Sequence, residues 1–341
     1  HHLAARLRVG LHQRNFELAQ NMGNQMTHRH TQWAALTTFA LLSLSSAHAA
    51  ADNTWAIAPA WSQSSDSDGL SIRKAFATAL PSYTSGLQWQ GVEWQEQRYQ
   101  QNGNALSGHG VNYTAQHLDA LTGLGNSLKV GVNQGPEKTT IIGDWSYNQA
   151  HNSQLSWGVF ASRDWVESIS ALQQGIHYDL VGGNVDYQVH PRVTVVGALA
   201  QTHFSDGHDR QQQRTRVVWD ALPDQGITLQ WAYKHQLGET IENPSQRYYF
   251  NPDRLNETMG LIGWRRRVEG WQWYARLGEG RQKVNNDEHT PARLAELQVT
   301  SPSPGDSYFK LRAGRNETVG LNGPGYVYRY LDVQWIWRLG R

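Results

Sequence analysis

Residues 227–234 read Ile-Thr-Leu-Gln-Trp-Ala-Tyr-Lys. Successive side chains of an extended chain point to opposite faces. Ile227, Leu229, Trp231 and Tyr233 therefore share one side, and Thr228, Gln230, Ala232 and Lys234 the other. The same period of two returns along the chain. Ile141, Gly143, Trp145 and Tyr147 oppose Ile142, Asp144, Ser146 and Asn148; Val193, Val195, Gly197 and Leu199 oppose Arg192, Thr194, Val196 and Ala198. Trp271, Trp273, Ala275 and Leu277 oppose Gln272, Tyr274, Arg276 and Gly278. The closing run sets Leu331, Val333, Trp335, Trp337 and Leu339 against Asp332, Gln334, Ile336 and Arg338. Each segment has one oily and one wetter face. A two-sheet sandwich also alternates, but these runs reach about ten residues, the length a tilted membrane strand needs.

Read outward from there, the pattern predicts strands over 85–99, 107–119, 125–133, 138–149, 153–164, 174–189, 192–204, 211–222, 226–239, 256–268, 270–281, 291–300, 306–317 and 326–339. The fold class is all-β: a transmembrane, antiparallel, up-and-down barrel of about 14 strands, within a range of about 12–16. The connections after even-numbered strands are mostly tight, as at His190-Pro191 and Glu269-Gly270. Those after odd-numbered strands are mostly longer, as at 165–173, 240–255, 282–290 and 318–325. Short periplasmic turns and longer outer loops are the habit of outer-membrane barrels. This order puts both barrel ends in the periplasm.

Composition agrees. The 341 residues carry 15 Trp, 14 Tyr, 7 Phe and 32 Gly, no Cys and a formal net charge of +1. Mean hydropathy is −0.62, which excludes a bundle of membrane helices. A chain poor in overall hydropathy but rich in Trp and Tyr suits a barrel whose strands are half polar and whose rims carry aromatic girdles. The near-neutral charge argues against a nucleic-acid partner. Without Cys there is no disulfide framework or thiolate metal site.

The N-terminal region reads as an address. Trp33–Leu44 is apolar but too short to span a bilayer. Met26-Thr-His-Arg-His precedes it and Ser46-Ala-His-Ala49 follows. A basic start, an apolar middle and small residues at the end predict a secretory signal peptide over 26–49. Residues 1–25 read as an upstream extension, 50–84 as a periplasmic lead-in with a short helix over Ile72–Leu80, and 85–341 as the barrel. The predicted localisation is the bacterial outer membrane.

If the oily faces meet lipid, the others line the interior. Charge facing lipid at the midplane costs about 2–4 kcal/mol for Arg or Lys. The predicted lining is Asp144, Asp179, Arg214, Arg216, Arg265, Arg267, Arg276, Glu296, Lys310, Arg312 and Asp332. Asp179 enters because Ile176, Tyr178 and Leu180 read as the oily face of their strand. Arg266 has the opposite parity and must lie near a strand end or mark a bulge. Tyr328 and Tyr330 share the inward parity of Asp332, where they could contact sugar; as rim girdle residues they would serve the membrane instead.

Catalysis finds little support. Ser107 with His109, and Ser205 with His208, are the nearest pairs, and neither sits in a nucleophile elbow. Asp206, Asp209 and residues 285–288 lack calcium-loop spacing. The expectation is no enzyme, no cofactor and no metal.

Four stretches together carry a resemblance. They are Arg163-Asp-Trp-Val-Glu167, Phe204-Ser-Asp-Gly-His-Asp-Arg210, Arg247-Tyr-Tyr-Phe-Asn-Pro-Asp-Arg254 and the closing strand from Tyr330 to Leu339. Their order and spacing resemble the C-terminal barrel of the poly-N-acetylglucosamine export porins, the PgaA family, over about 85–341. The resemblance implies an outer-membrane pore for an exported amino-sugar polymer, with outer-membrane lipid and the barrel assembly machinery as partners. Members of that family usually place helical repeats of about 34 residues before the barrel; residues 50–84 cannot hold two. The seven basic and four acidic lining residues suit a cationic polymer poorly. The alternatives are a plugged structural or adhesive barrel and a general porin for small hydrophilic solutes.

Overall fold

The computed structural model describes residues 54–339. The expected upstream extension and signal peptide lie outside the described residues. Sixteen strands follow in order: β1 (Thr54–Asp66), β2 (Ser71–Ser85), β3 (Gln88–Gln101), β4 (Asn104–Leu118), β5 (Gly125–Gln134), β6 (Thr139–Ala150), β7 (Leu155–Trp165), β8 (His177–His190), β9 (Val193–Phe204), β10 (Asp209–Leu222), β11 (Ile227–Leu237), β12 (Arg254–Val268), β13 (Trp271–Val284), β14 (Thr290–Thr300), β15 (Tyr308–Gly320) and β16 (Gly323–Leu339). A five-residue helix, α1 (Ile169–Gln173), interrupts the connection between β7 and β8. Every strand pairs with its sequence neighbours, and β1 pairs antiparallel with β16, so the sheet closes on itself.

The fourteen expected strands correspond to β3–β16. Two more, β1 and β2, occupy what the sequence suggested was a lead-in, and the expected helix over Ile72–Leu80 is part of β2. The reason is an inverted pattern. On β2 the large residues Ile72, Phe76 and Leu80 point inward, while Ala75, Ala77 and Ala79 face outward. Alanines and Lys74 favour a helix locally, and pairing on both sides overrides them.

The sorting of loops by parity is narrower than expected. Only 166–176 and 238–253 are long. The connection expected over 318–325 is a tight turn at Leu321-Asn322, with β15 and β16 paired as far as Gly320 and Gly323. Gly323 and Gly325 both have positive φ, which lets β16 continue through Pro324. Asn102-Gly103, with φ of 50° and 84°, makes the two-residue hairpin expected of Asn-Gly.

Burial separates the two faces. On β9, Val196, Ala198 and Thr202 are buried, whereas Leu199 is 64% exposed and looks out of the barrel. Outward Trp55, Trp219, Trp271, Trp335 and Trp337 are exposed at the end where β1 begins and β16 finishes. They form one interfacial girdle, at the level where amphipathic rings favour the headgroups. Arg266 faces outward two residues from the end of β12 in regular register, the strand-end alternative rather than a bulge.

Leu199→Arg places a cation on the lipid face in mid-strand and is expected to cost about 2–4 kcal/mol in a bilayer-folding titration. Val268→Arg, at the rim of β12, should cost roughly 0–1 kcal/mol.

Candidate functional site

Ten of the eleven predicted lining residues point into the lumen. Arg214 and Arg216 lie on β10 with the parity of buried Gln212 and Val218. Arg265 and Arg267 face inward on β12; the Arg265 guanidinium sits 5.7 Å from the Tyr274 ring centroid. Lys310 lies 5.1 Å from the Tyr308 ring. Asp332 accepts a 2.6 Å hydrogen bond from Ser62 Oγ across the closing seam. Asp144 faces Lys129 in register on the other side of the barrel.

Asp179 is the exception. It shares the outward parity of Val181 and Val185, and Arg163 holds it through two hydrogen bonds on the outer wall. The sequence reading inverts the faces of β8 because Tyr178 and Leu180 are apolar yet packed inside. They lie near the loop end, where the lumen itself is apolar.

The structure gathers four of the predicted residues into one cluster. Glu296 of β14 receives Arg276 Nη2 at 3.1 Å and Arg312 Nη2 at 3.3 Å. Tyr330 donates its hydroxyl to the same carboxylate. The ring of Tyr330 lies over Gly314, where any Cβ would collide with it, and Arg312 lies 4.8 Å from the ring centroid. The side chains of Arg276 and Glu296 are 2% and 1% exposed. Two guanidinium groups sharing one carboxylate fill this part of the lumen rather than lining an open duct. Tyr328 and Tyr330 both face inward, their ring centroids 5.9 Å apart.

Other lining groups were not singled out from sequence. The facing wall carries Glu93 with Lys129 at 2.5 Å. Beside them Gln97 donates to Asn133 Oδ1 at 2.8 Å, and Asn112 donates to Glu93 at 3.1 Å. Lys74, Asp164, Lys234 and Glu257 also face inward by register. The period of two could have found those on β3–β5, had the faces of these strands been assigned. Lys74 was hidden by the missed strand. The lumen is electrically two-sided. Glu93, Asp144, Asp164 and Asp186 mark the β3–β8 wall, and most inward arginines stand on β10–β15. Opposed charge of this kind sets a transverse field on anything that passes.

Both long loops fold into the mouth. Glu167, just before α1, reaches over the intervening strands to make an ion pair with Lys74 of β2. Trp165, Ile169 and Leu172 pack against Leu70, Ile72 and Tyr99. Ser168 donates from its hydroxyl to the carbonyl of Tyr248 in the second loop. That loop is pinned by Arg210, which donates to Asn251 Oδ1 at 3.1 Å and to the Phe250 carbonyl at 2.7 Å. Tyr249 donates to Asp206 at 2.7 Å, and Val166, Phe204 and Tyr249 share one apolar cluster. Three of the stretches behind the family resemblance therefore meet at one place, although they are far apart in sequence.

The serine–histidine pairs do not form a triad. Ser107 and His109 face outward, and His109 stacks on Trp94 at 5.5 Å. Ser205 accepts from the His177 amide. Among the described residues, no group of three or more His, Asp or Glu side chains is placed to hold a metal ion.

An apolar exterior, a polar and charged interior and a ring of strands without a free edge define the class: the chain is an outer-membrane β-barrel. No family model matches it, and no curated protein matches its sequence. One solved structure shares the fold, and others align more loosely. A bacterial polysaccharide outer membrane secretin aligns with a TM-score of 0.63 at 11% identity, over 85% of this chain and 100% of that one. OprD of Pseudomonas aeruginosa aligns with a TM-score of 0.42 at 12% identity, over 85% and 96%. OmpF of Salmonella typhi, complexed with daunomycin, aligns with a TM-score of 0.40 at 9% identity, over 83% and 97%.

Glu296→Ala would leave Arg276 and Arg312 without their shared carboxylate. It is expected to cost about 3–5 kcal/mol, read by denaturant titration in bilayers. Asp144→Ala should cost less than about 1 kcal/mol, because Asp144 is exposed to the lumen. The pair Arg265→Glu and Arg267→Glu should shift the reversal potential toward cation selectivity in a salt gradient. An unchanged potential would show that these side chains stand outside the ion path.

Proposed function

We propose that the barrel is an outer-membrane pore that passes an exported polysaccharide of the poly-N-acetylglucosamine kind. The observation that carries this reading is the inward tyrosine ladder, Tyr326, Tyr328 and Tyr330, on β16. The carboxamides of Gln95, Gln97, Asn112 and Asn133 are bonded into a row on β3–β5. Aromatic faces give sugar rings a flat apolar surface to slide along; Tyr326 and Tyr328 supply it nearer the mouth, and Tyr330, held by Glu296 and Arg312, supports Tyr328 from deeper in the lumen. All four carboxamide residues are at most 3% exposed and bonded to one another, so they brace this wall and leave the aromatic side to meet the polymer. Both charge signs are present on opposing walls, so a neutral or weakly charged chain meets no single-sign barrier. The fold shared with a bacterial polysaccharide outer membrane secretin supports the same reading. In this reading outer-membrane lipid surrounds the wall, and the assembly machinery recognises the aromatic final strand.

The packed mouth favours a second reading, a barrel sealed by its two loops whose outer surface is structural or adhesive. Planar-bilayer recording separates the two. The native chain should show low or intermittent conductance. Replacing 167–175 with a short Gly-Ser turn should produce a steady ohmic current. N-acetylglucosamine oligomers should interrupt that current, and Tyr328→Ala with Tyr330→Ala should shorten the interruptions about tenfold, as for the loss of roughly 1.4 kcal/mol of ring contact. No current after loop replacement would sink the pore reading. Current that the oligomers never interrupt would leave a general solute porin in place of a polysaccharide pore.

A further inference from the structure

The lipid-facing wall is not uniformly apolar. Near its loop end, Arg315 and Arg329 are direct register partners on β15 and β16, and Arg73 and Arg98 on β2 and β3. All four are exposed and outward by parity. Like charges placed directly opposite on a sheet repel. Here two such pairs flank the seam where β1 and β16 close the barrel, with Gln63 and Ser65 of β1 between them. Arg315 has a carboxylate at 3.8 Å, that of Glu317. Arg73, Arg98 and Arg329 have no acidic partner among the described residues. Arg293, next along the same rim, is shared between Glu279 at 3.2 Å and Glu317 at 3.4 Å.

Beside this arc the wall is hollowed. A groove of about 680 Å³ runs over Gly260 and Ala295, where the outward side chains are small, between Leu229, Ile262 and Leu277. Arg293 and Arg315 stand on its edge together with the carboxylates they pair with, Glu279 and Glu317. The groove ends at Arg315, the register partner of Arg329, so an apolar trough meets an arc in which Arg329, Arg73 and Arg98 are free of carboxylates among the described residues, a match for a molecule with acyl chains and an anionic head. The rim elsewhere is different: β9 and β10 present Gln201, Gln211 and Gln213, and the Arg163–Asp179 pair is already neutralised. The arc thus marks one side of the barrel only.

We propose that this arc and groove bind a phosphorylated, multiply acylated lipid of the outer leaflet, with its phosphates between the paired arginines and an acyl chain in the groove. Guanidinium groups fork onto phosphate oxygens, and a shared anion turns the repulsion within each pair into attraction. The site is independent of what the lumen conducts.

The test uses the full chain in neutral detergent and native mass spectrometry. The probe is a bisphosphorylated, hexa-acylated glucosamine disaccharide lipid, compared with the same lipid stripped of phosphate. The native chain should prefer the phosphorylated form at least about tenfold, because several guanidinium groups face the anionic head at once. Arg315→Gln with Arg329→Gln, or Arg73→Gln with Arg98→Gln, should remove most of that preference. Arg315→Lys with Arg329→Lys should retain part of it, and Arg163→Gln with Asp179→Asn all of it. In bilayers free of anionic lipid the double glutamine variants should fold at least as well as the native chain, since they relieve like-charge contact. Equal retention of both lipids, or undiminished preference in both glutamine variants, would overturn the proposal. So would full competition by millimolar inorganic phosphate, which would indicate a free-anion site, or a lipid-free oligomer lost on the same substitutions, which would make this face a contact between copies.

Discussion

The pairing of β1 with β16 is the constraint on which the rest depends. Inside a bilayer no water is available to satisfy backbone amides and carbonyls, and an open sheet edge would leave a row of them bare. Register from Trp55↔Leu339 to Asp66↔Tyr328 removes that edge. Once the ring is closed, every strand has a lipid side and a lumen side, and each side chain belongs to one of them. Arg338 braces the end of this seam, donating to Thr54 Oγ1 at 2.9 Å and to Asp306 at 2.7 Å.

Closure also decides where charge can go. A cylinder of sixteen strands encloses more space than side chains readily fill. Here the space is taken up from two directions. Arginines and carboxylates reach inward from β10–β15, and the loops 166–176 and 238–253 fold down into the mouth. The Glu296 cluster and the Lys74–Glu167 pair are therefore parts of one arrangement. Ion pairs and apolar contacts across the lumen tie strands that share no hydrogen bonds. A polymer in transit would have to displace the loop contacts while leaving the strand ladder intact. That division suits a rigid wall with a movable mouth.

The outer face follows a related logic. Trp side chains settle at the interface near the start of β1 and the end of β16, and the basic arc borders the opposite rim. The two ends of the barrel thus present different chemistry to the two leaflets, an asymmetry that comes from residues with no part in the lumen.

Much of this was legible in the period of two. Alternation as at Ile227–Lys234 determined the strands β3–β16, their antiparallel order and the inward parity of Arg265, Arg276, Glu296 and Asp332, because strand geometry ties parity to side. It misled where apolar residues line the lumen, as Tyr178 and Leu180 do, since alternation separates two faces without saying which one meets lipid. It failed on β2 because alanine outside and Phe76 or Leu80 inside invert the usual contrast. Only the closed tertiary structure decided the rest. It made sixteen strands of fourteen, brought Val166, Phe204 and Tyr249 to one point, and set Arg315 beside Arg329. Such contacts depend on which strands are neighbours around the ring and on how loops fold back, and no local pattern along one chain carries that distance.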